Sequence, residues 1–124
     1  DFEHRSFAQE LYLCQRYFEL VKFNYYYVTG YYEGAGSPRI PLHWNVEKRA
    51  TPTITLPTVG TGSGQIQVTS SGGAYDTGGT NIAAVYMTTV FARIEGSGYG
   101  GSSGTACSIY LNGTGGSIQI SAEL

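Results

Sequence analysis

The residues able to do chemistry in this 124-residue chain are few and scattered. There are two histidines, His4 and His43, and neither has a cysteine or aspartate at ligand spacing. A structural or catalytic zinc needs about four ligands, so neither a metal nor any other cofactor is expected. Gly96-Ser97-Gly98-Tyr99-Gly100-Gly101 has the glycine content of a phosphate-cradling loop. No helix pattern and no Lys-Ser/Thr follows it, so the phosphate reading fails. Gly62-Ser63-Gly64 lacks the flanks of a nucleophile elbow. Both stretches read as plain loops. Glu33, Glu47, Asp76 and Glu95 could act as a glycosidase pair only by meeting in space, and each stands isolated in the sequence. No catalytic residue is assigned, and the chain is not expected to be an enzyme.

The positive signal is aromatic. Tyr25, Tyr26, Tyr27, Tyr31 and Tyr32 fall within eight residues, close to Phe23 and Glu33. Side chains on a strand alternate between faces, so at least one of these rings must point away from the core. Flat rings with a polar tip suit sugar faces and protein interfaces alike. Tyr31 and Tyr32 near a turn, and Tyr99 alone among glycines, are the candidate ligand-binding residues. The competing reading is that these rings fill the core or a subunit contact.

The elements that must position those rings divide the chain in two. Residues 1–50 carry six acidic and six basic side chains; residues 51–124 carry only Asp76, Glu95, Glu123 and Arg93, with fifteen of the eighteen glycines. Nucleic acid is not an expected partner, because no basic stripe exists to displace counterions. Membrane insertion is not expected either, since no apolar run approaches the roughly 20 residues of a spanning helix. No basic n-region followed by an apolar h-region is visible, and the opening Asp1 is read as a fragment or processed chain.

Ser6 is an N-cap candidate and Gln9 completes a capping box, so the sequence predicts a helix over about 6–17. Phe7, Leu11, Cys14 and Phe18 fall on one stripe, which is expected to be buried against the edge of a sheet. Leu11→Ala should then cost about 2–5 kcal/mol, against about 1 kcal/mol for Ser6→Ala. From Glu19 the period changes to two. Strands are expected over Glu19–Tyr27, with a turn near Gly30, and over Ile40–Glu47, with Ile40, Leu42, Trp44 and Val46 on one face. Pro41 favours an edge or a strand start. Further strands or strand pairs are expected at Thr53–Val59, Gln65–Thr69 and Asn81–Ile94, and strands at Thr105–Leu111 and Ser117–Ala122. The run Asn81–Ile94 is apolar on both faces, which implies a central strand or a subunit contact. Asn112-Gly113-Thr114 matches a glycosylation acceptor but reads as a tight hairpin turn. Cys14 and Cys107 are read as buried free thiols in a reducing compartment. The expected fold is a single mainly β domain over 1–124: an antiparallel β-sandwich or jelly roll over about 19–124 with one short N-terminal helix.

Several stretches together carry a resemblance. Phe2-Glu3-His4-Arg5-Ser6, then Glu10-Leu11-Tyr12-Leu13-Cys14-Gln15-Arg16-Tyr17-Phe18, resembles the segment that opens the C-terminal domain of many tailed-phage tail fibres and related virion appendage proteins. Lys48-Arg49-Ala50-Thr51-Pro52-Thr53 and Ser121-Ala122-Glu123-Leu124 are similar to that family's later stretches, with Lys48 where a Met is common. The resemblance implies a β-sandwich or jelly-roll head at a fibre or appendage tip, folded in the host cytoplasm and commonly a homotrimer. Its implied partners are other copies of itself and a host cell-surface polysaccharide or protein receptor. It transfers no catalytic residues. Two other functions fit the same residues: a purely structural trimerisation or decoration module, and a carbohydrate-binding module of a larger polysaccharide-active enzyme.

Overall fold

The Ser6 side chain shows why the helix starts where it does. In the computed structural model, which describes residues 5–22, 28–70, 75–76, 81–113 and 115–123, the Ser6 hydroxyl accepts from the Gln9 N–H at 3.3 Å. Gln9 Oε1 accepts from the Ser6 N–H at 3.0 Å, closing the capping box. Helix α1 runs Phe7–Gln15, but the stripe expected to be buried is not: no residue of α1 is buried, and Phe7 is 82% and Leu11 45% exposed. The physical reason is that α1 is fastened by its C-terminus rather than along its length. Gln15 O accepts from Lys48 Nζ at 2.6 Å, Arg16 O from Arg49 N at 3.1 Å, and Tyr17 O from Ala122 N at 2.6 Å. No helix among the described residues is long and apolar enough to cross a membrane.

The rest is strand. The elements are β1 (Phe18–Lys22), β2 (Val28–Gly34), β3 (Ser37–His43), β4 (Thr53–Thr55), β5 (Ile66–Ser70), β6 (Tyr75–Asp76), β7 (Asn81–Val85), β8 (Phe91–Ser97), β9 (Ala106–Leu111) and β10 (Ser117–Ser121). They form two sheets with antiparallel ladders, a small one ordered β1-β10-β4 and a large one ordered β6-β5-β9-β2-β3-β8-β7. The protein is therefore a mainly β, two-sheet sandwich with one short helix, as the alternating pattern predicts. Ile40 and Leu42 of β3, Ile94 of β8, Ile109 of β9 and Ile118 and Ile120 of β10 are almost wholly buried in one core. Each fully buried aliphatic side chain of this kind contributes about 1.5–3 kcal/mol by leaving water.

Four expectations change. The run 81–94 is a hairpin of β7 and β8 rather than one strand, because the chain reverses at Tyr86, whose φ is +50°. The strand buried on both faces is β5, where Gln67 and Thr69 are covered as well as Ile66 and Val68. Gly30 is not a turn: it lies inside β2, where a Cβ would overlap the Arg39 carbonyl oxygen and Ile40. Asn112-Gly113 does not close a hairpin, since β9 and β10 belong to different sheets. Instead Asn112 ties the crossover to the 61–65 loop, donating from its backbone N–H to Gln65 O at 2.9 Å and accepting from Gly64 N at 2.6 Å.

Two further readings need only adjustment. Pro41 sits on a strand that is interior in the sheet order, yet the register with β2 ends at Arg39. At Pro41 the strand is paired with β8 alone, so its missing donor costs no ladder bond on the open side. Both cysteines are free thiols, but Cys14 is exposed on α1 and only Cys107 is buried. His4, Phe23 and Tyr25–Tyr27 lie outside the described residues.

Candidate functional site

The turn that leads into β3 decides which side chains meet on the outer face of the large sheet. A two-residue reversal at Ala35-Gly36 joins β2 to β3, with Gly36 at φ +72° and its N–H bonded to Gly101 O at 2.8 Å. The β2–β3 register then shifts between Tyr32 and Gly34, so Glu33 is the extra residue of a bulge. A bulge re-aims the side chain it carries. Here the Glu33 carboxylate returns to Arg39, with Oε2 2.6 Å from Nε. Arg39 stands opposite Tyr31 on β2 and opposite Glu95 on β8. Its Nη1 lies 3.1 Å from Glu95 Oε2, and Glu95 also pairs with Arg93. The Arg93 guanidinium sits 4.3 Å from the centre of the Tyr86 ring.

The result is a row of alternating charge, Glu33–Arg39–Glu95–Arg93, with Tyr31 beside Arg39 and Tyr86 against Arg93. Tyr31 is 50% and Tyr86 68% exposed. Beside the row lies an open depression lined by Ser37, Arg39, Ala83, Glu95 and Ser97. The row is neutral in sum, and each cation already touches a carboxylate. Such a face offers hydrogen-bond donors and acceptors in fixed positions and flat apolar rings.

Of the three tyrosines singled out from sequence, Tyr31 alone reaches this surface. Tyr32 is fully buried, with its ring against Gly101, where a Cβ would overlap it. Tyr99 is 4% exposed, with its ring over Gly96 and its N–H bonded to Gly36 O at 3.1 Å. The glycines around Tyr99 lead to burial rather than exposure, because a residue without a side chain lets a neighbouring ring lie flat on the backbone. Tyr32 and Tyr99 are core residues, and neither ring is available to a ligand.

Glu33 and Glu95 meet on Arg39, one at Nε and the other at Nη1, while Glu47 accepts from Thr89 Oγ1 at 3.0 Å. Asp76 lies on β6, at the far edge of the large sheet from β7. His43 is exposed and stacked on Phe91, with ring centres 5.7 Å apart. Among the described residues no three of His, Cys, Asp and Glu gather as metal ligands would.

Sequence reasoning missed two features. Tyr86 was hidden in what reads as a continuous strand, and no Gly, Pro, Asn or Asp marks the turn it makes. Lys48 is the second. Its side chain is wholly buried, and Nζ donates to Glu19 Oε2 at 2.8 Å, Gln15 O at 2.6 Å and Val46 O at 3.1 Å. Glu19 Oε1 in turn accepts from Asn45 Nδ2 at 2.8 Å and Asn45 N at 3.2 Å. Continuing the inward parity of Ile40, Leu42, Trp44 and Val46 by one step would have placed Lys48 inside.

No protein-family model, no curated protein and no solved structure matches this chain.

Proposed function

We propose that this domain is the non-catalytic head of a virion fibre or appendage, assembling with copies of itself and meeting a host cell-surface glycan. The observation that carries the reading is how the exposed apolar side chains are divided. Among the described residues ten large hydrophobic side chains are exposed, and six of them lie between Phe7 and Leu20. Phe18 and Leu20 point outward from the small sheet, since Glu19 between them is buried. A monomer that leaves such a surface in water carries an aggregation liability. Covering it with other copies, as a homotrimer, removes that liability. Tyr31 and its charged row lie on the large sheet, whereas Phe18 and Leu20 lie on the small one. The reading gives the exposed small-sheet surface to assembly and the row on the large sheet to a receptor. The resemblance carried by Glu10-Leu11-Tyr12-Leu13-Cys14-Gln15-Arg16-Tyr17-Phe18 supports the same reading.

The burial of Tyr32 and Tyr99 favours a second reading, a structural trimerisation module with no receptor of its own. Two measurements separate the readings. Light scattering at micromolar concentration should give a trimer mass for either one, and a monomer mass overturns the assembly claim. Adsorption of the isolated domain to host cells should be lost or much reduced in Tyr31→Ala if the outer face binds. Equal adsorption by a folded, trimeric Tyr31→Ala removes that face from the receptor site, and no adsorption by the wild type leaves the structural module.

A further inference from the structure

We infer that the ligand of the outer face is a linear, uncharged oligosaccharide of about three rings, laid diagonally across β2, β3 and β8 between Tyr31 and Tyr86. The inference rests on the glycan reading above and names the class and length of ligand.

Distance sets the length. Tyr31 faces Arg39, Arg39 faces Glu95, and Arg93 lies two residues along β8 from Glu95. With strands about 4.8 Å apart and about 3.3 Å of rise per residue, Arg93 and the ring above it lie on the order of 12 Å from Tyr31. One sugar ring cannot touch both tyrosines, whereas a short chain can stack an end ring on each.

Charge sets the class. Between the two rings stand Arg39, Glu95 and Arg93, with Glu33 beside Tyr31 on β2, and each cation is already paired. An anionic sugar would have to displace a carboxylate from Arg39 or Arg93. A neutral hydroxyl instead adds to the existing pairs, accepting from a spare guanidinium N–H or donating to a spare carboxylate lone pair. Ala83 faces Glu95 from β7 and is too small to cover the row, which leaves it open on that side.

Backbone strain supplies an independent sign at the Tyr86 end. Tyr86 is the one non-glycine with positive φ among the described residues. A bulky residue rarely adopts that conformation, and such strain collects where a side chain is aimed for use. The Tyr86 ring is 68% exposed, with the Arg93 guanidinium over one of its faces.

Titration calorimetry on the folded domain tests this with gluco-, manno- and galacto-oligosaccharides from single sugars to hexasaccharides. For a series that binds, affinity should climb from the monosaccharide to the trisaccharide and then level off. Tyr31→Ala and Tyr86→Ala should each weaken trisaccharide binding about tenfold, while Tyr86→Phe keeps it, because an aromatic anchor and not the hydroxyl is what is lost. Binding that ignores chain length overturns the inference and leaves the glycan reading standing. So does binding that Tyr86→Ala, checked for fold by circular dichroism, does not change. Tighter binding of oligogalacturonates than of the neutral galactose series overturns the uncharged class. No binding by the wild type to any member overturns both.

Discussion

A lysine with no exposed side-chain surface must have every ammonium proton satisfied, and Lys48 does, through Glu19, Gln15 and Val46. Removing one partner of a buried ion pair leaves the other charged and desolvated, so Lys48→Ala should cost about 3–5 kcal/mol in chemical denaturation. Lys48→Met combined with Glu19→Gln should recover most of that loss, since replacing both charges is close to neutral. A double variant no better than the single would show that packing and not charge is at stake. The two thiols make a second residue-scale test. Burial pushes the Cys107 thiol up to about 11 from 9.0, against the pull of backbone bonds at Arg39 and Gly30. In the native protein a thiol reagent should modify exposed Cys14 and spare Cys107. Because the folded pKa is raised, the stability tied to Cys107 is complete below pH 9.0 and is lost as pH rises through about 11. Stability should therefore fall more steeply across that window in the wild type than in Cys107→Ala. The burial of Cys107 as a free thiol was legible, but which carboxylate would meet Lys48, and which ring would lie on which glycine, was not, because those depend on contacts between segments far apart in the chain.

At the scale of elements, local chemistry was readable and partners were not. The capping box of Ser6 and Gln9 and the alternating burial from Ile40 to Val46 depend on neighbours within a few residues, and both stand, although the strand expected over Ile40–Glu47 ends at His43. Burial of the α1 stripe depends on something else being there to cover it, which periodicity cannot supply. The stability ranking is accordingly reversed from the sequence expectation. In a dilute, unassociated protomer Leu11→Ala should change stability by no more than about 0.5 kcal/mol, and Ser6→Ala should cost about 1 kcal/mol. If copies pack on α1, Leu11→Ala should instead raise the concentration needed for association, as sedimentation would show. The β7–β8 reversal escaped notice because Tyr86-Met87-Thr88 lacks any residue that ordinarily marks a turn. Thr88 closes it with its backbone N–H and hydroxyl, donating to Phe91 O at 2.8 and 3.1 Å. In β2, Gly30→Ala should destabilise by at least about 1–3 kcal/mol, since a methyl there overlaps the backbone of β3. An unchanged midpoint would mean the two strands can separate without loss.

Taken whole, the molecule was legible as a sandwich but not in its connectivity, because alternation assigns faces and says nothing about which strand lies beside which. The order β1-β10-β4 puts strands from opposite ends of the sequence side by side, with Phe18 opposite Ser121. Deleting residues 117–121 should therefore do more than trim an edge. It removes the central strand of the small sheet with Ile118 and Ile120, and calorimetry should show the cooperative transition of the entire domain lost. A weakened but intact transition would show that the large sheet stands alone. The same pairing fixes a timetable. A ribosome adds about 5–20 residues each second, and β1 and β4 wait with their inner faces uncovered until β10 emerges. Closing a loop of roughly a hundred residues is slow by the measure of sandwich folds, whose non-local pairings form in milliseconds to seconds. Strand order therefore sets a sequence of events on the ribosome: hairpins such as β2–β3 and β7–β8 have both strands early, whereas β1 and β4 gain their shared partner only when Ser117–Ser121 emerges.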